Sequence, residues 1–157
     1  MTICGSNTSG IATDPVCPLL VGKVLEERKD KLNGKYNWMA CVDGSKESLK
    51  AIKEALKILD YSKDHVEVIH VKKFTITPES VKSMLEKFFE DNGFTNWKFT
   101  VLDWQPSVPR EDTILEYLHD FPDETVDFFV VSNHGTGLGK HTGKYIGRVA
   151  KGMLEKA

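Results

Sequence analysis

The chain predicts an α/β fold, a three-layer sandwich in which a parallel sheet is covered by helices on both faces. Three observations carry this. Strand-like apolar runs alternate four times with helical stretches between Tyr36 and Lys156, and each strand–helix–strand unit implies a right-handed crossover between parallel strands. The helical stretches carry their own start and stop signals. The last strand-like run, Val126–Val131, is apolar apart from Asp127, as a strand covered on both faces should be.

The elements follow in order. Residues 1–34 read as an N-terminal extension and 35–157 as the domain. Met1–Val16 is small and polar and reads as disordered. In Pro18–Leu32, Leu20, Val21, Val24, Leu25 and Leu32 fall at helical spacing and Asn33-Gly34 offers a stop, although Gly22 leaves a strand over Leu19–Leu25 as the alternative. Tyr36–Val42 is a strand. Ser45 caps a helix whose apolar face is Leu49, Ile52, Leu56 and Leu59. Val66–Val71 is the second strand. Thr77 caps the next helix, with Pro78 at its first position, Val81, Leu85, Phe88 and Phe89 on one face, and Asn92-Gly93 as terminator. Trp97–Leu102 is the third strand. Glu111–His119 is a helix with Ile114, Leu115 and Leu118 inward. Val126–Val131 is the fourth strand, and Tyr145–Lys156 a closing helix.

Composition narrows the function classes. The 157 residues include 40% hydrophobic side chains, enough for one core, and the net charge of -2 offers no global basic field for nucleic acid or a membrane surface. Cys4, Cys17 and Cys41 are odd in number and form no C-x-x-C motif, which fits a reducing, cytoplasmic setting. No apolar run reaches membrane-spanning length, and the first fifteen residues lack the basic start and apolar centre of a secretory signal.

The chemistry concentrates after the fourth strand. Gly135, Gly137, Gly139, Gly143 and Gly147 fall within thirteen residues, interleaved with Lys140, Lys144 and Arg148. Glycine lets backbone amides approach an anion closely, so a glycine cluster after a strand suits phosphate. The loop is not a Walker A motif: Gly139-Lys140 is followed by His141, and the required earlier glycine is His134. In an open parallel sheet, ligands sit at the carboxyl ends of the strands, at a topological switch point. A flexible loop of solvated lysines is the competing reading.

Three strand ends then line up: Cys41-Val42-Asp43-Gly44-Ser45, Ile69-His70-Val71, and Val126-Asp127-Phe128-Phe129-Val130-Val131-Ser132-Asn133-His134-Gly135. Their order and spacing resemble the universal stress protein family, over about Tyr36 to Leu154. The resemblance implies a parallel sheet of order 3-2-1-4-5, and adenine nucleotide, ATP or AMP, where the first and fourth strands diverge. Asp43 matches an aspartate at the adenosine, and Val71 a valine whose backbone contacts adenine. The family's loop is G-x-x-G, nine residues, then G-[S/T]. Gly135 and Gly147 match its second and third glycines, but Ser132 replaces the first, eleven residues replace nine, and Arg148 stands where Ser or Thr is usual. With Ser132, His134, Gly135, Gly147, Arg148 and Val149 lining the phosphate side, Arg148 would replace hydroxyl hydrogen bonds by a charge-assisted pair. Any Mg2+ would enter with the nucleotide. The family's fifth strand does not follow the closing helix, so the segment before Tyr36 is expected to stand in for it, giving a monomer or a dimer of another kind.

No matched general acid and base is visible, so at most slow ATP hydrolysis is expected. The alternative is an interaction module of the same fold that has given up the nucleotide and serves an unknown protein partner. A third reading, an adenylating enzyme, wants S-G-G-x-D-S or a histidine pair where Asp43-Gly44-Ser45-Lys46-Glu47-Ser48 stands. Ser45 reads as a helix cap, His70 as a packed histidine, Cys41 as a buried inert thiol, and His134 and His141 as loop histidines without the company a metal site needs.

Overall fold

The computed structural model describes residues 34–72, 75–120, 126–132 and 148–156. In chain order these form strand β1 (Asn37–Cys41), helix α1 (Lys46–Leu56), β2 (His65–Val71), α2 (Pro78–Asp91), β3 (Trp97–Leu102), α3 (Arg110–His119), β4 (Phe128–Val130) and α4 (Arg148–Lys156). The strands make one four-stranded sheet of order β3-β2-β1-β4. Every pairing is parallel. The expected 3-2-1-4 order is therefore met. The segment expected to replace a fifth strand lies outside the described residues.

Helix boundaries follow local chemistry. The Ser45 Oγ accepts the Ser48 N–H at 3.2 Å, satisfying one of the orphan donors of α1. The Thr77 Oγ1 accepts the Ser80 N–H at 3.3 Å, and Pro78 opens α2 where a missing N–H costs nothing. Beyond Asp91 the chain turns through Gly93 at φ +66°, which a residue with a Cβ disfavours.

Strand side chains alternate between two cores. Trp38, Ala40, Val42, Val66 and Val68 face α1 and α2 and pack on Ile52, Leu56, Val81, Leu85 and Phe89. Met39, Ile69, Val71 and Leu102 face the other way and pack on Ile114 of α3 and Met153 of α4. Leu85 and Phe89 are fully buried; each contributes about 2–3 kcal/mol by leaving water.

The amino ends of the strands are fastened by carboxylates. Asp64, buried just before β2, accepts the Tyr36 N–H at 2.9 Å on one oxygen; its other oxygen accepts the Trp38 Nε1–H at 3.2 Å and the Asp60 N–H at 3.0 Å. Asp127, buried just before β4, accepts the Asn37 N–H at 2.9 Å while its own N–H donates to the Asn37 carbonyl at 2.9 Å. On the α3 face, Glu67 accepts the Thr100 hydroxyl at 2.5 Å, the Tyr117 hydroxyl at 2.7 Å and Lys98 Nζ at 3.3 Å, all on Oε1. Burial works to raise the Glu67 carboxyl, but these donors outweigh it and hold it below the usual glutamate range.

The fourth strand departs from expectation. A six-residue, fully buried strand was expected over Val126–Val131; pairing extends only over Phe128–Val130, and all three residues keep some exposure. Its pairing with β1 ends at Ala40↔Val130. Its start is set by the Asp127–Asn37 clasp rather than by apolar character.

Candidate functional site

The strand order reverses at β1, which has β2 on one side and β4 on the other. From β1 the chain crosses to β2 and β3 on one side, and the later strand β4 adds on the other. That makes the carboxyl ends of β1 and β4 the switch point. Their last shared register pair is Ala40↔Val130, beyond which Val131 and Ser132 follow β4 and Val42 and Asp43 follow β1.

The turn leaving β1 is built by three residues. The Asp43 Oδ1 accepts the Ser45 N–H at 3.0 Å, closing a local side-chain turn. Gly44 sits at φ +83°, and a Cβ there would come within 3.2 Å of Ile76 Cδ1. The backbone conformation therefore favours glycine, and a Cβ would also crowd Ile76. Ser45 then caps α1. The turn aims the amino end of α1, with its partial positive charge, at the open edge of the sheet. Asp43 is half-buried there, so its carboxylate serves the turn and stands at the carboxyl edge where β1 and β4 part.

The end of β2 is shaped by a histidine. His70 is fully buried, and its Nδ1 lies 2.9 Å from the Val42 carbonyl. A carbonyl only accepts, so Nδ1 carries the proton. The His70 ring also packs on Phe99, with centroids 6.4 Å apart. His70 is thus the packed histidine that was expected, and it ties the last carbonyl before Asp43 to β2.

That bond bears on Val71. Backbone groups along β2 alternate between its neighbours. His65 N–H donates to Tyr36 O, and Ile69 O accepts from Val42 N–H, so the odd-numbered residues face β1; Val66 and Lys72 donate to Asn96 O and Leu102 O, so the even-numbered ones face β3. Val71 therefore turns its N–H and C=O toward the side that β1 has already left. Among the described residues neither group has a backbone partner on that side. The Val71 side chain is buried in the second core.

Arg148, at the first position of α4, is exposed, whereas the side chain of Val149 packs against the second core. Asp43, Val71, Ser132 and the start of α4 thus all belong to the carboxyl edge of the sheet. His134, Gly135 and Gly147 lie outside the described residues, as do His141 and the loop lysines. Cys41 ends β1 and packs into the second core. Burial pushes its thiol up, so it stays neutral and a poor nucleophile, although some of its surface remains accessible. Among the described residues, no group of three His, Cys, Asp or Glu is arranged to hold a metal ion, and no helix is long and apolar enough to cross a membrane.

Asp64, Asp127 and Glu67 were not anticipated as a fastening set. Asp127 was visible as the one polar residue in an apolar run. Asp64 gave no clear signal, because its partners Tyr36 and Trp38 lie more than twenty-five residues away in the chain.

No protein-family model and no characterised protein sequence matches this chain. Solved structures do. The universal stress protein UspA from Lactobacillus plantarum aligns at a TM-score of 0.50 and 18% identity, covering 76% of this chain and 90% of its own. The protein Rv1636 from Mycobacterium tuberculosis H37Rv aligns at 0.49 and 17% identity, covering 67% and 81%. A universal stress protein in complex with cAMP aligns at 0.45 and 15% identity, covering 61% and 75%. The likeness to UspA establishes the fold: this chain has the universal stress protein fold, as the three strand-end motifs implied.

Proposed function

We propose that this chain is a small regulatory protein of the universal stress protein family that binds an adenine nucleotide at the carboxyl ends of β1 and β4. The observation that carries the reading is the backbone of Val71, turned toward a side that β1 has vacated, beside the Asp43 turn. An N–H and a C=O on one residue form a donor–acceptor pair that matches the acceptor and donor on one edge of adenine. Asp43, at the rim, accepts a hydrogen bond from the nucleoside. The amino end of α4, with Arg148 beside it, suits the phosphates. Mg2+, where needed, comes with the phosphates, since the described residues supply no ligand cluster of their own. The reading is one of binding; among the described residues no general acid and base stand together at this edge.

The direct test has two parts. Purified protein is denatured and the released small molecules are identified by mass spectrometry; ligand-free protein is then titrated calorimetrically with ATP, AMP, cAMP and adenosine. A co-purifying adenine nucleotide, or saturable heat with any nucleotide of the series, supports the reading. No released nucleotide and no heat across the series would leave the interaction module, and capture of a protein partner, as the account of this fold.

A further inference from the structure

Helix α4 carries a glycine where a helix least favours one. Gly152 is the fifth residue of α4, buried against α3. A Cβ at this position would lie 2.8 Å from both Cβ and Cγ of Glu111, and 3.5 Å from its Cδ. Real Cβ atoms do not approach that closely, so the two helices meet at a distance that only glycine permits. The same contact buries Glu111 to 8% exposure, and among the described residues its Oε2 has no hydrogen-bond partner. Two unfavourable features, a mid-helix glycine and an unsatisfied carboxylate oxygen, thus converge on one contact. Such a local conflict points to a demand made by position rather than by stability.

The position it sets is that of the first turn of α4. Both α3 and α4 start at the carboxyl edge of the sheet. Glu111 is the second residue of α3 and Gly152 the fifth of α4. At about 1.5 Å of rise per residue, α4 begins roughly 4–5 Å further toward the open edge than α3 does. Arg148 and the first amides of α4 therefore overhang α3 at the edge where the nucleotide is placed. Arg148 and Gly152 are four residues apart and share a helix face, so a shift at Gly152 is passed to Arg148 through a rigid turn.

We propose that Gly152 is a positioning residue: its close contact with Glu111 sets the height and angle at which α4 presents Arg148 and its first amides to an anionic ligand. For its ligand arm, the inference rests on the nucleotide reading above. Helix propensity alone predicts that Gly152→Ala tightens α4; the contact predicts that it displaces α4. Hydrogen exchange of the α4 amides separates the two without any ligand. Exchange should quicken in Gly152→Ala and return toward its original rate when Glu111→Gly removes the obstructing side chain. In calorimetry, Gly152→Ala should weaken ATP about tenfold and adenosine by less than about twofold, and Glu111→Gly in the same chain should restore ATP. Slower α4 exchange in Gly152→Ala, or ATP and adenosine affinities equal to the starting protein, would overturn the inference. If the starting protein binds no nucleotide at all, the proposed function fails and exchange alone decides the positioning role. If Gly152→Ala does not fold, Gly152→Ala is compared in a Glu111→Gly background with Glu111→Gly alone. Matching α4 exchange supports the contact, and faster exchange despite the removed side chain overturns it.

Discussion

The two ends of the sheet use the same residue type in opposite ways. At the amino end, Asp64 and Asp127 are buried, and both hold neighbouring strands through backbone donors. At the carboxyl end, Asp43 is half-buried, accepts a local turn bond from the Ser45 N–H, and stands where the strands separate. A carboxylate surrounded by protein donors fixes geometry and contributes stability. One at the open edge, held in orientation by its own turn, is the proposed ligand contact. What distinguishes them is the set of donors around each carboxylate, which only the fold reveals.

The largest expected effect breaks the closed end. Asp64→Ala leaves the buried Trp38 indole and the part-buried Tyr36 and Asp60 amides without their acceptor, and should cost about 3–4 kcal/mol in urea unfolding. Asp127→Ala removes the acceptor of the Asn37 N–H, leaving only the backbone half of the clasp, and should cost about 2–3 kcal/mol by the same measurement. At the open end the effect should change kind. Asp43→Ala should cost less stability than either change at the closed end, since its turn bond to Ser45 is local and part-buried, yet weaken nucleotide binding by about 1–3 kcal/mol in a calorimetric titration. Unchanged affinity would remove Asp43 from the site and dissolve the contrast between the ends.

A smaller effect, midway along the sheet, sharpens the comparison through pH. Glu67 has a folded-state pKa held below its unfolded value, which is about 4.3. Its contribution is therefore present in full above that unfolded value and is lost as the pH falls through the lower folded one. The stability difference between the protein and Glu67→Gln should stay level from neutral pH down to about 5 and close at more acidic pH. Tyr117→Phe should cost about 1–2 kcal/mol at neutral pH and narrow the acid-dependent part. A difference that stayed level into strong acid would show that the Thr100, Tyr117 and Lys98 donors do not lower the carboxyl.

Much of the fold was legible because its signals are local. Ser45, Thr77-Pro78 and Asn92-Gly93 mark helix ends through bonds that reach only a few residues along the chain. Val66–Val71 is legible as a strand from its own run of β-branched residues, without reference to any other strand. What was misread is non-local. The apolar run Val126–Val131 says that a strand is there, but its paired length depends on where β1 turns away at Asp43 and where Asn37 meets Asp127. Asp64 was silent for the same reason. The switch point itself was legible, since Asp43-Gly44-Ser45 carries the turn in its own sequence. The orientation of the Val71 backbone was not, since it follows from the hydrogen-bond parity of three strands.

The closed end fastens the strands, and the open end is the proposed binding edge. Backbone amide shifts during an ATP titration, followed by two-dimensional NMR, test it most directly. The account predicts that the amides of Asp43, Val71, Ser132 and Arg148 shift saturably, while those of Tyr36, Asn37, Asp64 and Asp127 stay in place. Shifts centred on the amino ends of the strands, or none at any of these residues up to millimolar ATP, would contradict it.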